Sequence, residues 1–256
     1  VPAALAGLAR RYRAQLALVS ALLALSATQA PAFALTPATT TASAAVTARL
    51  SNLHTLSRWA YPAGEALVHA APSSRSRAIG RLQFLTGDGQ AELYIALASA
   101  RLSSGQTWIQ IELPGRPNGR TGWVLKGALE TMHTVDGYLL VNRGTLRATL
   151  FRDGHAIFSA PIGVGKASTI TPPGHFYVME KLITLNAPEY GPYALGTSAY
   201  APTLHEWPGG GVVGIHGTDE PQLIPGRPSH GCIRMRNADI TRLWAIIALG
   251  TPIEIT

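Results

Sequence analysis

Near the end of the chain lie residues of the types needed for acyl transfer. The single cysteine, Cys232, closes the string Ser229-His230-Gly231-Cys232 and follows His216, in Gly214-Ile215-His216-Gly217-Thr218, by sixteen positions. A thiol attacks a carbonyl as the thiolate, and an ordinary cysteine of pKa about 8.5 is only slightly ionised near neutrality. A positioned imidazole must take the proton, and His216 and His230 are the two candidates. Attack places negative charge on the carbonyl oxygen, which preorganised backbone N–H groups stabilise. A glycine just before the nucleophile, here Gly231, lets the backbone approach the substrate without a Cβ in the way. A lone cysteine is more often a small buried hydrophobe. Its neighbours Pro228, Ser229, His230 and Gly231 instead read as a loop opening onto a site.

The elements that must position these groups are legible nearby. Val212 to Ile215 is a short apolar strand that delivers His216 at its end. After the cysteine, Asn237 is the expected N-cap of a helix that buries Ile240, Leu243, Trp244 and Ile247 on one face and stops at Gly250. That helix would buttress the loop carrying Cys232. Leu146 to Phe151 and His155 to Ala160 form a hairpin pattern around Asp153-Gly154, the dipeptide suited to left-handed turn geometry. With 26 glycines and 18 prolines, the composition suits strands and turns and excludes an all-helical fold. Gly163-Val164-Gly165-Lys166 only superficially suggests a phosphate loop, because Ala160 and Ala167 stand where glycine and Ser/Thr are required.

Three strings in order carry a family resemblance: Thr171-Pro172-Pro173-Gly174-His175-Phe176, then Gly191-Pro192-Tyr193-Ala194-Leu195-Gly196, then His216-Gly217 followed by Ser229-His230-Gly231-Cys232-Ile233-Arg234. Together they resemble the L,D-transpeptidases with a YkuD-type catalytic domain, over residues 134–256. The twelve residues between His216 and Ser229 are at the short end of the family range, which suggests a compact loop over the site. The resemblance implies Cys232 as nucleophile, His216 as general base and the carbonyl of Gly217 as the group orienting the base. It also implies an oxyanion hole from the backbone N–H groups of His230, Gly231 and Cys232. Ser229 and Arg234 are substrate-binding candidates, with Arg234 either pairing with a substrate carboxylate or making an ordinary salt bridge. No metal or cofactor is expected. A papain-like hydrolase is excluded by chain order, since no histidine follows Cys232.

Residues 1–34 read as an export signal: Arg10, Arg11 and Arg13, then the apolar run Leu16 to Leu25, then an Ala-x-Ala site at Ala32-Phe33-Ala34. Residues 35–60 read as a low-complexity linker, with a brief helical stretch around Arg49 to Trp59. Residues 61–130 resemble a bacterial SH3-like domain, mainly through Trp108 and Gly122-Trp123-Val124, with a turn at Pro114 to Gly119. Both tryptophans are expected in its core, and the module is expected to target or space the enzyme in the wall. The formal charge of +7 includes the three leader arginines, so the remainder is only mildly basic. That balance, without an aromatic-and-basic cluster, points to an anionic envelope and away from nucleic acid.

The expected fold is therefore mainly β: a small SH3-like barrel followed by a YkuD-type β-sandwich with a C-terminal helix. The resemblance implies an exported enzyme of the bacterial cell wall, touching the membrane only through its signal segment. It would form 3→3 cross-links in peptidoglycan through a cysteine thioester on tetrapeptide stems, a second stem acting as acceptor. An L,D-carboxypeptidase on the same stems and a non-catalytic wall-binding protein are the alternatives.

Overall fold

The computed structural model describes residues 46–204 and 208–256. The expected signal segment and the first part of the expected linker lie outside the described residues. The rest is mainly β, with one α-helix among the described residues.

Eight strands build the N-terminal sheet: β1 (Val46–Arg49), β2 (Ser57–Ala60), β3 (Leu67–His69), β4 (Ala78–Arg81), β5 (Tyr94–Arg101), β6 (Thr107–Leu113), β7 (Arg120–Leu125) and β8 (His133–Val135). Their order is β4-β3-β7-β6-β5-β2-β8, and β1 also pairs with β5. Val68, Tyr94, Ile109, Ile111 and Val124 form its core. Trp108 is buried as expected, whereas Trp123 is only half-buried.

The helical stretch expected around Arg49 to Trp59 is not formed, and the expected linker contains two strands, Val46–Arg49 and Ser57–Ala60. The reason is tertiary. The long β5 offers pairing positions to both segments, Arg49 opposite Ala98 and Trp59 opposite Ile95, and sheet pairing overrides weak local preference.

Ten further strands form the second sheet: β9 (Gly137–Asn142), β10 (Arg147–Arg152), β11 (His155–Pro161), β12 (Gly163–Gly165), β13 (Gly174–Ile183), β14 (Tyr193–Tyr200), β15 (Val212–His216), β16 (Gly226–Ser229), β17 (Ile233–Arg234) and β18 (Pro252–Ile255). The order is β11-β10-β9-β18-β13-β14-β15-β17-β12-β16. The hairpin of β10 and β11 turns at Asp153 and Gly154, both at positive φ, as that dipeptide predicts. β13 pairs with β18 through its first half and with β14 through its second. Leu139, Phe158, Val178, Leu195, Ile215 and Ile253, from both halves of the sheet, share one buried cluster, so the sheet folds over a single core.

The helix α1 (Asn237–Ile246) buries Ile240 and Leu243 and packs on β14 and β15. It thus supports the strand that carries His216. Two details differ from expectation. Arg236, not Asn237, occupies the N-cap position, because the Asn237 side chain accepts the Thr218 N–H at 2.9 Å instead. The helix also ends four residues before Gly250. That glycine serves a close approach: its φ is +73°, and a Cβ there would stand 2.6 Å from Trp59 Cγ.

Trp59, Ile95 and Val135 of the first sheet and Leu93, just before β5, share a buried cluster with Tyr177 and Met179 of β13. Burying one such side chain contributes about 1.5–3 kcal/mol, so the two sheets are joined by a contact comparable to a small core. Among the described residues, no helix is long and apolar enough to cross a membrane.

Candidate active site

Strand register brings the two reactive residues together. β15 and β17 run parallel, with Ile215 opposite Ile233 and His216 opposite Arg234, so Cys232, just before β17, is level with Gly214. Side chains alternate along a strand, so His216 emerges on the face of position 214, beside the cysteine. A backbone hydrogen bond from Gly214 reaches the thiol. Cys232 and His216 line one cavity of about 220 Å³, together with Tyr190, Ala201, Gly211 and Arg234. They also line an adjoining cavity of about 240 Å³ with Asp88, Glu180 and Leu182.

The orientation of His216 follows from its neighbours. Its Nδ1 lies 2.7 Å from the Gly217 carbonyl oxygen. A carbonyl only accepts, so Nδ1 carries the proton and Nε2 is the acceptor. Gly217 must be a glycine because its backbone, that of Gly191 and the Asn237 side chain meet there: a Cβ on Gly217 would lie 2.9 Å from Gly191 Cα. The ring of Tyr190 stands 4.8 Å from that of His216, tilted by 56°.

Burial pushes the His216 pKa down to about 4, against the opposing effect of its bond to Gly217 and with a small contribution from the Arg234 cation. Burial likewise pushes the Cys232 thiol up, partly offset by the Gly214 hydrogen bond and by Arg234. Both shifts favour the neutral forms, imidazole and thiol.

The other expected site residues separate into two groups. Exposed His230 lines the cavity rim. Arg234 lines the cavity too, and its Nη1 donates to Glu220 Oε2 at 2.8 Å, so the salt bridge is present alongside a position facing the site. Ser229 and Gly231 also line the cavity, but their polar groups are engaged within the loop. The Gly231 N–H donates to Ser229 Oγ at 3.1 Å and is thereby committed away from the expected oxyanion hole. Ser229 is buried, and its hydroxyl donates to the Cys232 carbonyl at 2.6 Å, so it clamps the nucleophile loop and has no hydroxyl to offer a substrate.

Sequence reasoning did not identify Thr171 or Tyr190 as site residues. Buried Thr171 donates from its hydroxyl to Gly231 O at 2.7 Å and accepts the Gly165 N–H at 2.9 Å, tying the cysteine loop to β12. The Gly165 of the discounted phosphate-loop string is there for space, since a Cβ would stand 2.6 Å from Thr171 N. The signal was present: Thr171 opens one conspicuous string and Tyr190 immediately precedes another. Tyr193, by contrast, stacks on Trp244 at 4.7 Å, and His175 is exposed on β13.

A family model described as the L,D-transpeptidase catalytic domain, YkuD, matches residues 136–255. YkuD of Bacillus subtilis (strain 168), whose name places it among the L,D-transpeptidases, is 31% identical over 156 residues, covering 61% of this chain and 78% of that protein. The chain belongs to the YkuD-type L,D-transpeptidase family. YbiS of Escherichia coli K12, also named for L,D-transpeptidases, is 26% identical over 214 residues, 74% of this chain and 68% of its own length. The solution structure of the catalytic domain of an E. faecium L,D-transpeptidase is 26% identical and covers 47% of this chain and 97% of that domain, with a TM-score of 0.36. As a YkuD-type L,D-transpeptidase, the chain has its cysteine, histidine and two flanking cavities within the matched segment, apart from Asp88.

Proposed function

We propose that this chain is a cysteine-dependent L,D-transpeptidase of bacterial peptidoglycan. The observation that carries the reading is that Cys232 and His216 line one cavity, with Nδ1 of His216 committed to Gly217 and Nε2 left as the proton acceptor. His216 takes the thiol proton as sulfur attacks the carbonyl of the third residue of a tetrapeptide stem. A C–S bond forms, the amide C–N bond breaks, and His216 returns the proton to the leaving D-alanine amine. The third-residue amine of a second stem then attacks the thioester, gives up a proton, and releases Cys232 as the thiol. The product is a 3→3 cross-link. Negative charge on the tetrahedral intermediate falls to the backbone N–H groups of His230 and Cys232, since that of Gly231 is held by Ser229. The enzyme works after export, in agreement with the leader pattern of residues 1–34.

Incubation with a disaccharide tetrapeptide, followed by mass spectrometry, tests this reading. D-alanine loss with cross-linked dimer is expected, and tripeptide without dimer would instead assign an L,D-carboxypeptidase. Wild-type protein that releases no D-alanine, and whose Cys232 is not acylated by a carbapenem, overturns the enzyme reading.

A further inference from the structure

The turn between β6 and β7 projects from the N-terminal sheet to the wall of the cavity at Cys232. Arg116, in this turn, donates from Nε and Nη2 to Ala201 O at 3.1 and 2.9 Å, from Nη2 to Leu204 O at 3.0 Å, and from Nη1 to Gly210 O at 2.8 Å. Its guanidinium lies over the Tyr200 ring, 5.1 Å from the centroid. Two positions on, Asn118 donates to Tyr200 O at 2.9 Å and accepts the Tyr200 N–H at 2.9 Å, as a neighbouring strand would. Ala201, Leu204 and Gly211 in turn line the cavity with Cys232 and His216. Gly211 has a φ of +81°, and Arg116 Nη2 stands 2.5 Å from where a Cβ would be, so the guanidinium occupies the space a side chain would need. Three carbonyls converge on this one cation, which is the arrangement a planar five-donor fork satisfies and a lysine ammonium does not. On the other side of Cys232, Asp88, from the connection between β4 and β5, lines the adjoining cavity. In the same connection Thr86 Oγ1 donates to Glu180 Oε2 at 2.6 Å.

We infer that Arg116 is a positioning residue for acyl transfer, acting through Ala201, Leu204 and Gly210, and that the N-terminal sheet is part of the substrate cleft. This deepens the proposed function and rests on it. The sheet is then not a detachable targeting module: it fixes one wall of the cleft and contributes Asp88 to the other cavity. Loss of Arg116 leaves three carbonyls without their donor, and the wall relaxes away from the geometry that holds the stem against the thiol.

The test uses the full chain with Arg116→Ala, Arg116→Lys and Asn118→Ala. It compares steady-state turnover of the disaccharide tetrapeptide with alkylation of Cys232 by iodoacetamide, a reagent too small to need the wall. For Arg116→Ala, kcat/KM on the stem is expected to fall by about 10- to 100-fold, mainly through KM, while the alkylation rate stays near wild type. Arg116→Lys recovers only part of the loss, and it carries the same readout should the alanine variant not fold. An Arg116→Ala enzyme with unchanged kcat and KM overturns the inference. So does one whose alkylation falls by the same factor as turnover, since that marks a general loss of structure. Wild type that does not turn over the stem overturns the proposed function itself, a result distinct from an active wild type matched by its Arg116 variants.

Discussion

Burial governs the protonation of His216 and Cys232, and with it the pH range in which the site works. With His216 titrating near 4 and the thiol above its ordinary range, both groups are in their working forms over most of the neutral region. Acylation kcat/KM is therefore expected to stay flat from about pH 5 to about pH 8, and a decline centred near 6.5 would contradict the assigned environment of His216. Cys232→Ala should abolish acylation, and His216→Ala should lower it by about 10²- to 10⁴-fold while leaving a thiol that titrates with 2-nitro-5-thiobenzoate release. Arg234 favours the thiolate and the neutral imidazole together, so Arg234→Gln should move the pH dependence of Cys232 alkylation to higher pH. The clamp residues act on position, not on charge. Thr171→Val leaves the Gly231 carbonyl and the Gly165 N–H without their partner and should cost about 1–3 kcal/mol in thermal unfolding, with a fall in turnover.

At the level of elements, β15 and β17 do the positioning, and α1 holds β15 in place from behind. The strand ending at His216 and the hairpin around Asp153-Gly154 were legible because period-two patterning and a two-residue turn are local signals. The roles of Asn237 and Gly250 were not, because each is decided by a neighbour distant in sequence: Thr218 for one, Trp59 for the other. Gly250→Ala tests this directly. It forces a side chain into a positive φ and against the Trp59 ring, so a loss of more than about 1 kcal/mol is expected by denaturant unfolding. A neutral result would mean that Gly250 merely ends a turn.

Across the whole molecule, the junction of the two sheets carries carboxyl groups that resist ionisation. Burial raises the pKa of Glu92 and Glu112 to about 7 and that of Glu180 to about 6, the last also affected by its neighbour Asp88. Glu112 accepts from Ser198 Oγ at 3.3 Å across the junction. Each of these groups binds its proton more tightly folded than unfolded, so its contribution is fully present below the unfolded value near 4.5 and is lost as pH rises through 6 to 7. His216 acts oppositely, since its depressed pKa makes stability rise with pH between about 4 and 6.5. Three carboxyls outweigh one imidazole, and above 6.5 the carboxyls act alone. The unfolding temperature is thus expected to fall between pH 5 and about pH 8, and Glu112→Gln should flatten that slope; an unchanged slope would remove Glu112 from the account.

The sequence by itself determined the chemistry: one thiol, its histidine, the glycines around them and the strand that delivers the base. These are local strings, and their meaning depends on residue type and order. The tertiary structure decided which groups those strings serve. Ser229 closes the loop on Cys232, Gly231 turns its N–H to that clamp, and Arg116 braces the cavity from another sheet. The hydrogen-bonded partners at the junction of the two sheets lie 82 or more positions apart, as Asn118 and Tyr200 do, and only packing brings them within hydrogen-bond distance. No periodicity or spacing in the chain encodes such a pair, because the free energy that selects it comes from burial and from satisfying carbonyls at the junction of two sheets.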